Sequence, residues 1–419
     1  MDLANPNYDD LSLLGCELEF PFSGKAAPNR FLKSAISEGL ASFSMAEPAT
    51  RGIPSPEYIN LYKHWGEGNI GLIITGSIMI DPEHLPATGN AVIPLGSPFH
   101  GTRFERFCQA SSAAKRQGSL IVAQLSHPGR QTPLHLQPFP ISASDVPLRH
   151  GMFGNDYGKP RAVSIGDIAT IREGFVYAAQ FLEKAGFDGV QLHAAHDSLL
   201  SQFLTLATNK RTDEYGGDIY NRMRLLIDIR QAISRQVSKD FMIGIKINSM
   251  ELEKQGFRRE DTLALHEALE ACQFDFVELS GGESEGERAP SLKKTKVYVT
   301  GDLHSTRAMA GALAVVDGVG IARPLCQDPY FCDRILSGAV TEMTLVQSQS
   351  NNAYLGAIAA LTQIAQLGQN LQPIDLSVPE NRDRFFKSFV MHQRNRSDVN
   401  DSVPVLEGYN LGLRKALQT

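Results

Sequence analysis

Eight short apolar runs, most of them followed by a helical pattern, set the architecture this chain can adopt. The runs are residues 30–36, 71–75, 119–125, 189–192, 241–247, 274–279, 296–300 and 319–322. Helical periodicity occupies 56–66, 104–117, 167–185, 219–236, 259–272, 305–315 and 329–336. Apolar runs of this length read as strands buried on both faces, and their alternation with helices calls for a parallel sheet. Eight such units close into a (β/α)8 TIM barrel better than they spread as a doubly wound sheet. The expected fold is therefore α/β, with a barrel over residues 1–340. A long insert rich in Pro, Ser and Gly follows the third strand at 126–166. Inserts at strand C-terminal ends lie over the active face of a barrel and shape its substrate site. Residues 341–419 read as a C-terminal helical extension packed on the barrel. It comprises an Ala-rich helix at 353–367 and a polar tail of little pattern from about 378.

Bulk properties exclude several partners. A net charge of −6 without a basic cluster argues against nucleic acid and anionic membrane. The first ten residues lack a signal-peptide pattern, and the run around 71–80 is too short to span a bilayer, so a cytoplasmic protein is expected. Five cysteines, an odd number without CxxC spacing, argue against a disulfide framework.

The residues just past each barrel strand face one cavity. Here they are Ser37, Gly76, Gln124, His127, His193, His196, Lys246, Ser280-Gly281-Gly282, Gly301-Asp302 and Arg323. Amide, imidazole, ammonium and guanidinium groups among glycines suit a planar polar ligand with an anionic tail, such as flavin mononucleotide (FMN). Taken singly, each residue also has a plain structural reading. The His pair can be satisfied inside the barrel mouth, Lys246 can pair with a buried carboxylate, Ser37 can bond local backbone, and Arg323 can tie a loop to a helix. A metal at His193 and His196 needs a third ligand that no spacing supplies. GESEG at 282–286 spells GxSxG but opens no helix, and no Rossmann or Walker A spacing is present.

Several motifs, in order and on successive strands, resemble the old yellow enzyme family of flavin-dependent reductases over roughly residues 20–375. NRFLKSAIS at 29–37 looks like the first-strand motif, which implies that Ser37 meets the flavin carbonyl edge. AQLSHPGRQ at 123–131 likewise implies that Gln124 meets the pyrimidine edge, and GIKINS at 244–249 makes Lys246 the cation near flavin N1 and O2. HAAH at 193–196 matches the pair that hydrogen-bonds a substrate carbonyl, so His193 and His196 are the expected catalytic residues. The resemblance adds Gly76, Gly301, Asp302 (through its backbone N–H), Ala322 and Arg323 to the cofactor site.

Two departures stand out. The family continues Gly-Tyr after the His pair, and the Tyr protonates the substrate; here Asp197-Ser198 stands instead, which puts Ser198 at the proton-donor position. A serine hydroxyl is too weak an acid to replace a phenol. In the phosphate loop Asp302 follows Gly301, His304 takes an Arg position, and Ala322 replaces a Gly while Arg323 remains, so weakened FMN binding is expected. The resemblance implies an FMN-dependent oxidoreductase that passes hydride from NADPH or NADH through flavin N5 to an α,β-unsaturated carbonyl compound. The altered donor position suggests specialisation for one secondary-metabolite substrate. Two rivals keep the pocket: a redox-neutral isomerase or epimerase using His193 or His196 as acid/base through an enolate, and a non-catalytic binding scaffold.

Overall fold

A computed structural model describes residues 8–148, 155–248, 259–281, 291–301, 303–342 and 353–397. Eight parallel strands form its centre: β1 (Phe31–Lys33), β2 (Leu72–Ile74), β3 (Leu120–Ser126), β4 (Gly189–Ala194), β5 (Met242–Asn248), β6 (Phe276–Ser280), β7 (Lys296–Thr300) and β8 (Gly318–Ile321). Each pairs with its sequence neighbour, and β8 pairs with β1, so the sheet closes as a barrel. The expected strands each sit within two or three residues of an observed one, and the (β/α)8 expectation holds.

Alternation decides which side chains enter the barrel. The lower interior is apolar: Leu32, Leu72, Ile74, Val122, Met242, Phe276 and Tyr298 pack with Leu18, Phe20 and Ala27. The last three come from a hairpin, Leu18–Phe20 against Lys25–Ala27, which plugs the bottom of the barrel. Gly244 makes this layer possible, since a Cβ there would lie 2.2 Å from the Phe276 ring. Two residues further along β5 the same inward face carries Lys246, so the lining turns from apolar to polar toward the strand C-termini.

Outside the barrel run α1 (Pro56–Gly66), α2 (Gly101–Ala114), α3 (Ile165–Lys184), α4 (Arg224–Ser234), α5 (Arg259–Ala271), α6 (Thr306–Ala312) and α7 (Phe331–Leu336). Their starts follow local chemistry. Ser55 caps α1 before Pro56, and Ser164 with Asp167 forms a capping box on α3. The expected helix at 219–236 is split at Met223 into Ile219–Arg222 and α4. No described helix is long and apolar enough to cross a membrane.

The insert after β3 folds back through a short parallel pairing of Ile141–Ser142 with Arg161–Ala162. It is clamped from the loop after β4: Arg211 donates to the Ala143 carbonyl, and Ser142 Oγ donates to Gln202 at 2.8 Å. The helix Ala353–Gly368 packs on α1, with Asn60 Nδ2 donating to the Gly368 carbonyl. The tail expected to be patternless instead forms a helix, Pro379–Ser397. Its anchor is Phe385, buried with Ile358, Ala359, Ile374 and Leu376; one buried ring in a polar segment leaves no periodic stripe to detect.

Candidate active site

The polar upper interior is one connected network. Lys246 Nζ, on β5, donates to Glu278 Oε1 on β6 at 2.9 Å and to Ser34 Oγ at 2.8 Å. Ser34 in turn donates to Glu278, and Thr300 Oγ1 does so at 2.8 Å. The other carboxylate oxygen accepts from Gln191 Nε2 at 2.8 Å. Gln191 Oε1 accepts from Gln124 Nε2 at 2.8 Å, and Gln124 Oε1 accepts from Ser77 Oγ at 2.6 Å. Strand register produces this order: Gln124 lies beside Gln191, and Lys246 lies between His193 and Glu278. Burial alone would push the Glu278 carboxyl up, but the Lys246 charge and the converging donors outweigh it and hold it below the ordinary range.

The histidines stand above this floor. His193 Nδ1 lies 3.0 Å from Ser126 Oγ, while its Nε2 is enclosed and has no hydrogen-bond partner among the described residues. His196 sits at the mouth, its Nε2 2.9 Å from Ser280 Oγ. Burial, with the neighbouring His196 and Lys246, holds the His193 imidazolium well below its usual range. His196 shows an open edge to solvent, yet the barrel wall and Lys246 still take it down to about 4. Both rings are neutral near pH 7.

A strained turn fixes the pair. His196 and Asp197 both adopt left-handed backbone, at φ of 54° and 57°. The His196 amide donates to Asn248 Oδ1 at 3.2 Å, and Arg130 from the insert grips the Asp197 carboxylate. Ser198 is buried, its hydroxyl donating to the His193 carbonyl at 2.7 Å.

Other residues named from sequence sit as follows. Ser37 is joined to Gln124 through Asn90, which donates to Ser37 Oγ at 3.3 Å and to the Ser77 carbonyl. The Gly76 amide donates to Glu38 Oε1 at 2.7 Å, and a Cβ at Gly76 would strike that carboxylate. Gly301, Ala322 and Arg323 lie at the ends of β7 and β8, with Arg323 exposed beside a cleft of about 510 Å³ that His64 and Tyr330 also line. Gly282 and Asp302 lie outside the described residues.

His127 requires a correction. It follows the inward-facing Ser126 and therefore points away from the pocket. There it stacks on His84 with Asp81 between them, and Asp81 Oδ2 accepts from His84 Nδ1 at 2.7 Å. These three form a metal-sized group, but His127 Nδ1 accepts the Gly129 amide at 3.0 Å, which puts the ring proton on Nε2 rather than leaving a lone pair there. Conversely, Gln191, Glu278, Ser34, Ser126 and Arg130 were missed, whereas Ser280, expected at the strand ends, is there beside His196. The signal was present for Gln191 and Glu278, which share the inward parity of His193 and Ser280 inside apolar strands.

The donor set fits FMN. Gln124 retains an N–H and a carbonyl lone pair, and Lys246 retains one N–H, beyond the bonds described. Together these match a ring edge that presents both carbonyl oxygens and an N–H.

Residues 40–284 match the family model described as NADH:flavin oxidoreductase / NADH oxidase. The chain belongs to that family. It is 48% identical over 392 residues, 88% of either chain, to the NADH-dependent flavin oxidoreductase nadA of Aspergillus parasiticus. It is 32% identical over 274 residues to the NADH-dependent flavin oxidoreductase iliE of Hypocrea jecorina, covering 62% of this chain and 66% of that one. Among solved structures, the old yellow enzyme homologue of Zymomonas mobilis superposes with a TM-score of 0.67 at 24% identity, over 80% of this chain and 95% of that one. Morphinone reductase gives 0.67 at 21% identity, over 82% and 93% respectively. The protein is an old yellow enzyme-type flavin oxidoreductase, using FMN and a nicotinamide reductant.

Proposed function

We propose that this flavin oxidoreductase reduces the carbon–carbon double bond of a small α,β-unsaturated carbonyl compound. The observation that carries the reading is the enclosed Nε2 of His193 beside His196, without a hydrogen-bond partner among the described residues. In the tautomer where Ser126 Oγ donates to Nδ1, the His193 proton stands on Nε2 and is left for a substrate oxygen. A carbonyl oxygen placed there accepts that bond. The bond strengthens as enolate charge develops, which is how a preorganised neutral donor lowers a barrier. Gln124 and Lys246 would hold the flavin's pyrimidine edge, Ser37 a carbonyl edge, and Arg323 with the Gly301 and Ala322 backbone the phosphate. Bound FMN, once reduced by NADH or NADPH, supplies the hydride.

Ser198 does not supply the proton in this reading, because its hydroxyl is held on the His193 carbonyl. Asp197 does not either, being paired with Arg130. In this reading the proton comes from solvent reaching the mouth at His196. That arrangement also supports a second reading, redox-neutral isomerisation, in which neutral His193 or His196 moves a proton beside the carbonyl.

The two are separated by product mass after anaerobic incubation of FMN-loaded protein with NADH and a panel of cyclic enones. Bleaching of the flavin, re-oxidation by the enone and a product heavier by two hydrogens support reduction. Unchanged mass with deuterium exchange from D₂O supports isomerisation. A flavin that neither nicotinamide bleaches overturns the reductase reading.

A further inference from the structure

The cation assigned to the flavin's pyrimidine edge is not a free charge. Lys246 Nζ lies 2.9 Å from Glu278 Oε1, and the two side chains are 4% and 0% exposed. With so little water near, the pair is weakly screened. Glu278 accepts from Ser34, Thr300, Gln191 and Lys246, so four groups from four barrel strands and their ends converge on one carboxylate on a fifth. Ser34 bridges the two charges by accepting from Lys246 and donating to Glu278. Among the described residues, the other ionisable groups coupled to this pair are the neutral His193 and His196 above and Lys33, which lies outside the barrel wall over the Trp65 ring.

We propose that Glu278 is a positioning residue for the flavin: it anchors Lys246 against β6 and offsets its charge, so that bound FMN is harder to reduce than an uncompensated lysine would make it. The inference rests on the FMN site of the proposed function. A lone ammonium at that edge stabilises the negative charge of reduced flavin and raises its potential. An ammonium–carboxylate pair presents a dipole, whose field falls off faster with distance, so much of that stabilisation is removed. Glu278 also passes its orientation to Gln124 through Gln191, which leaves Gln124's remaining N–H and lone pair in a fixed direction.

The test is the midpoint potential of bound FMN, measured by anaerobic reduction against a reference dye, in wild type and in Glu278→Gln. The glutamine keeps the shape and an acceptor for Gln191 while removing the charge. At a fixed potential, the ratio of reduced to oxidised flavin is expected to rise at least tenfold in the variant, about 30 mV for a two-electron couple. An unmoved or lowered potential overturns the proposal.

Removing one member of a buried pair can unfold a protein, so a second variant, Lys246→Met/Glu278→Leu, replaces both ions with apolar groups. If Glu278 offsets Lys246, its potential stays within about threefold of wild type on the same scale. A fall of tenfold or more means that the lysine charge is felt uncompensated, and the proposal fails. Wild-type protein that takes up no FMN overturns the proposed function as well. FMN uptake with an unmoved Glu278→Gln potential overturns this inference alone.

Discussion

Arg130 holds Asp197 through two parallel hydrogen bonds, Nε to Oδ2 at 2.9 Å and Nη2 to Oδ1 at 3.1 Å. This joins the insert after β3 to the strained turn after β4. Asp197 occupies left-handed backbone, which costs a non-glycine residue roughly 1–2 kcal/mol and needs an external hold. Arg130→Ala is expected to lower stability by about 1–3 kcal/mol, with the Arg130→Ala/Asp197→Ala double variant losing less than the sum of the singles. Urea denaturation of the three variants measures the coupling. Strict additivity would show that the pair does not hold the turn.

Ser198 stands where a proton donor belongs in related enzymes, yet its hydroxyl is tied to main chain. Ser198→Ala therefore removes one buried hydrogen bond, worth about 1 kcal/mol, and should leave turnover within roughly threefold. Steady-state rates against an enone at saturating NADH decide it. A loss of a hundredfold or more would make Ser198 part of the proton path.

The barrel was legible because its strands are apolar throughout and its helices carry caps and periodicity, and both signals are local. Gln124, His193 and Lys246 were legible because each ends or interrupts such a strand, and His196 because it follows His193 by three residues; the structure brings the first three to one interior with His196 at its mouth. Glu278 was equally visible inside FVELS but was passed over, since a single acid in a strand carries no spacing signal. Arg130 could not be read at all, because its partner lies 67 residues away and only the folded insert brings them together. His127 was misplaced for a simpler reason: chain position past a strand was used where parity along the strand decides the facing.

The neutral histidines make stability depend on acidity. Both imidazoles are held below their ordinary range in the folded protein, so the unfolded chain binds protons first as pH falls. Their contribution is fully present above about pH 6.5, the unfolded value, and is lost as pH falls toward the folded value of His196, about 4. Chemical denaturation at steps from pH 7.5 to 4.5 should show stability declining below about 6.5. The decline should be shallower in His193→Asn/His196→Asn. An identical slope in that variant would place the acid sensitivity elsewhere.

His193 should matter more for rate than for fold. Among the described residues its Nε2 has no hydrogen-bond partner, so truncation removes the contact with Ser126 and the ring packing on His196. If Nε2 donates to the developing enolate, His193→Ala lowers kcat by roughly 10²–10³-fold, the effect of deleting one preorganised oxyanion donor. The bound flavin should keep its absorbance and its reduction by NADH, because Lys246 and Gln124 are untouched. His196, exposed at the mouth and engaged with Ser280, should give a smaller loss on the same substitution. Stopped-flow measurement of the two half-reactions separates these outcomes. Equal losses in flavin reduction and flavin re-oxidation would mean that His193 serves the pocket as a whole rather than the substrate carbonyl.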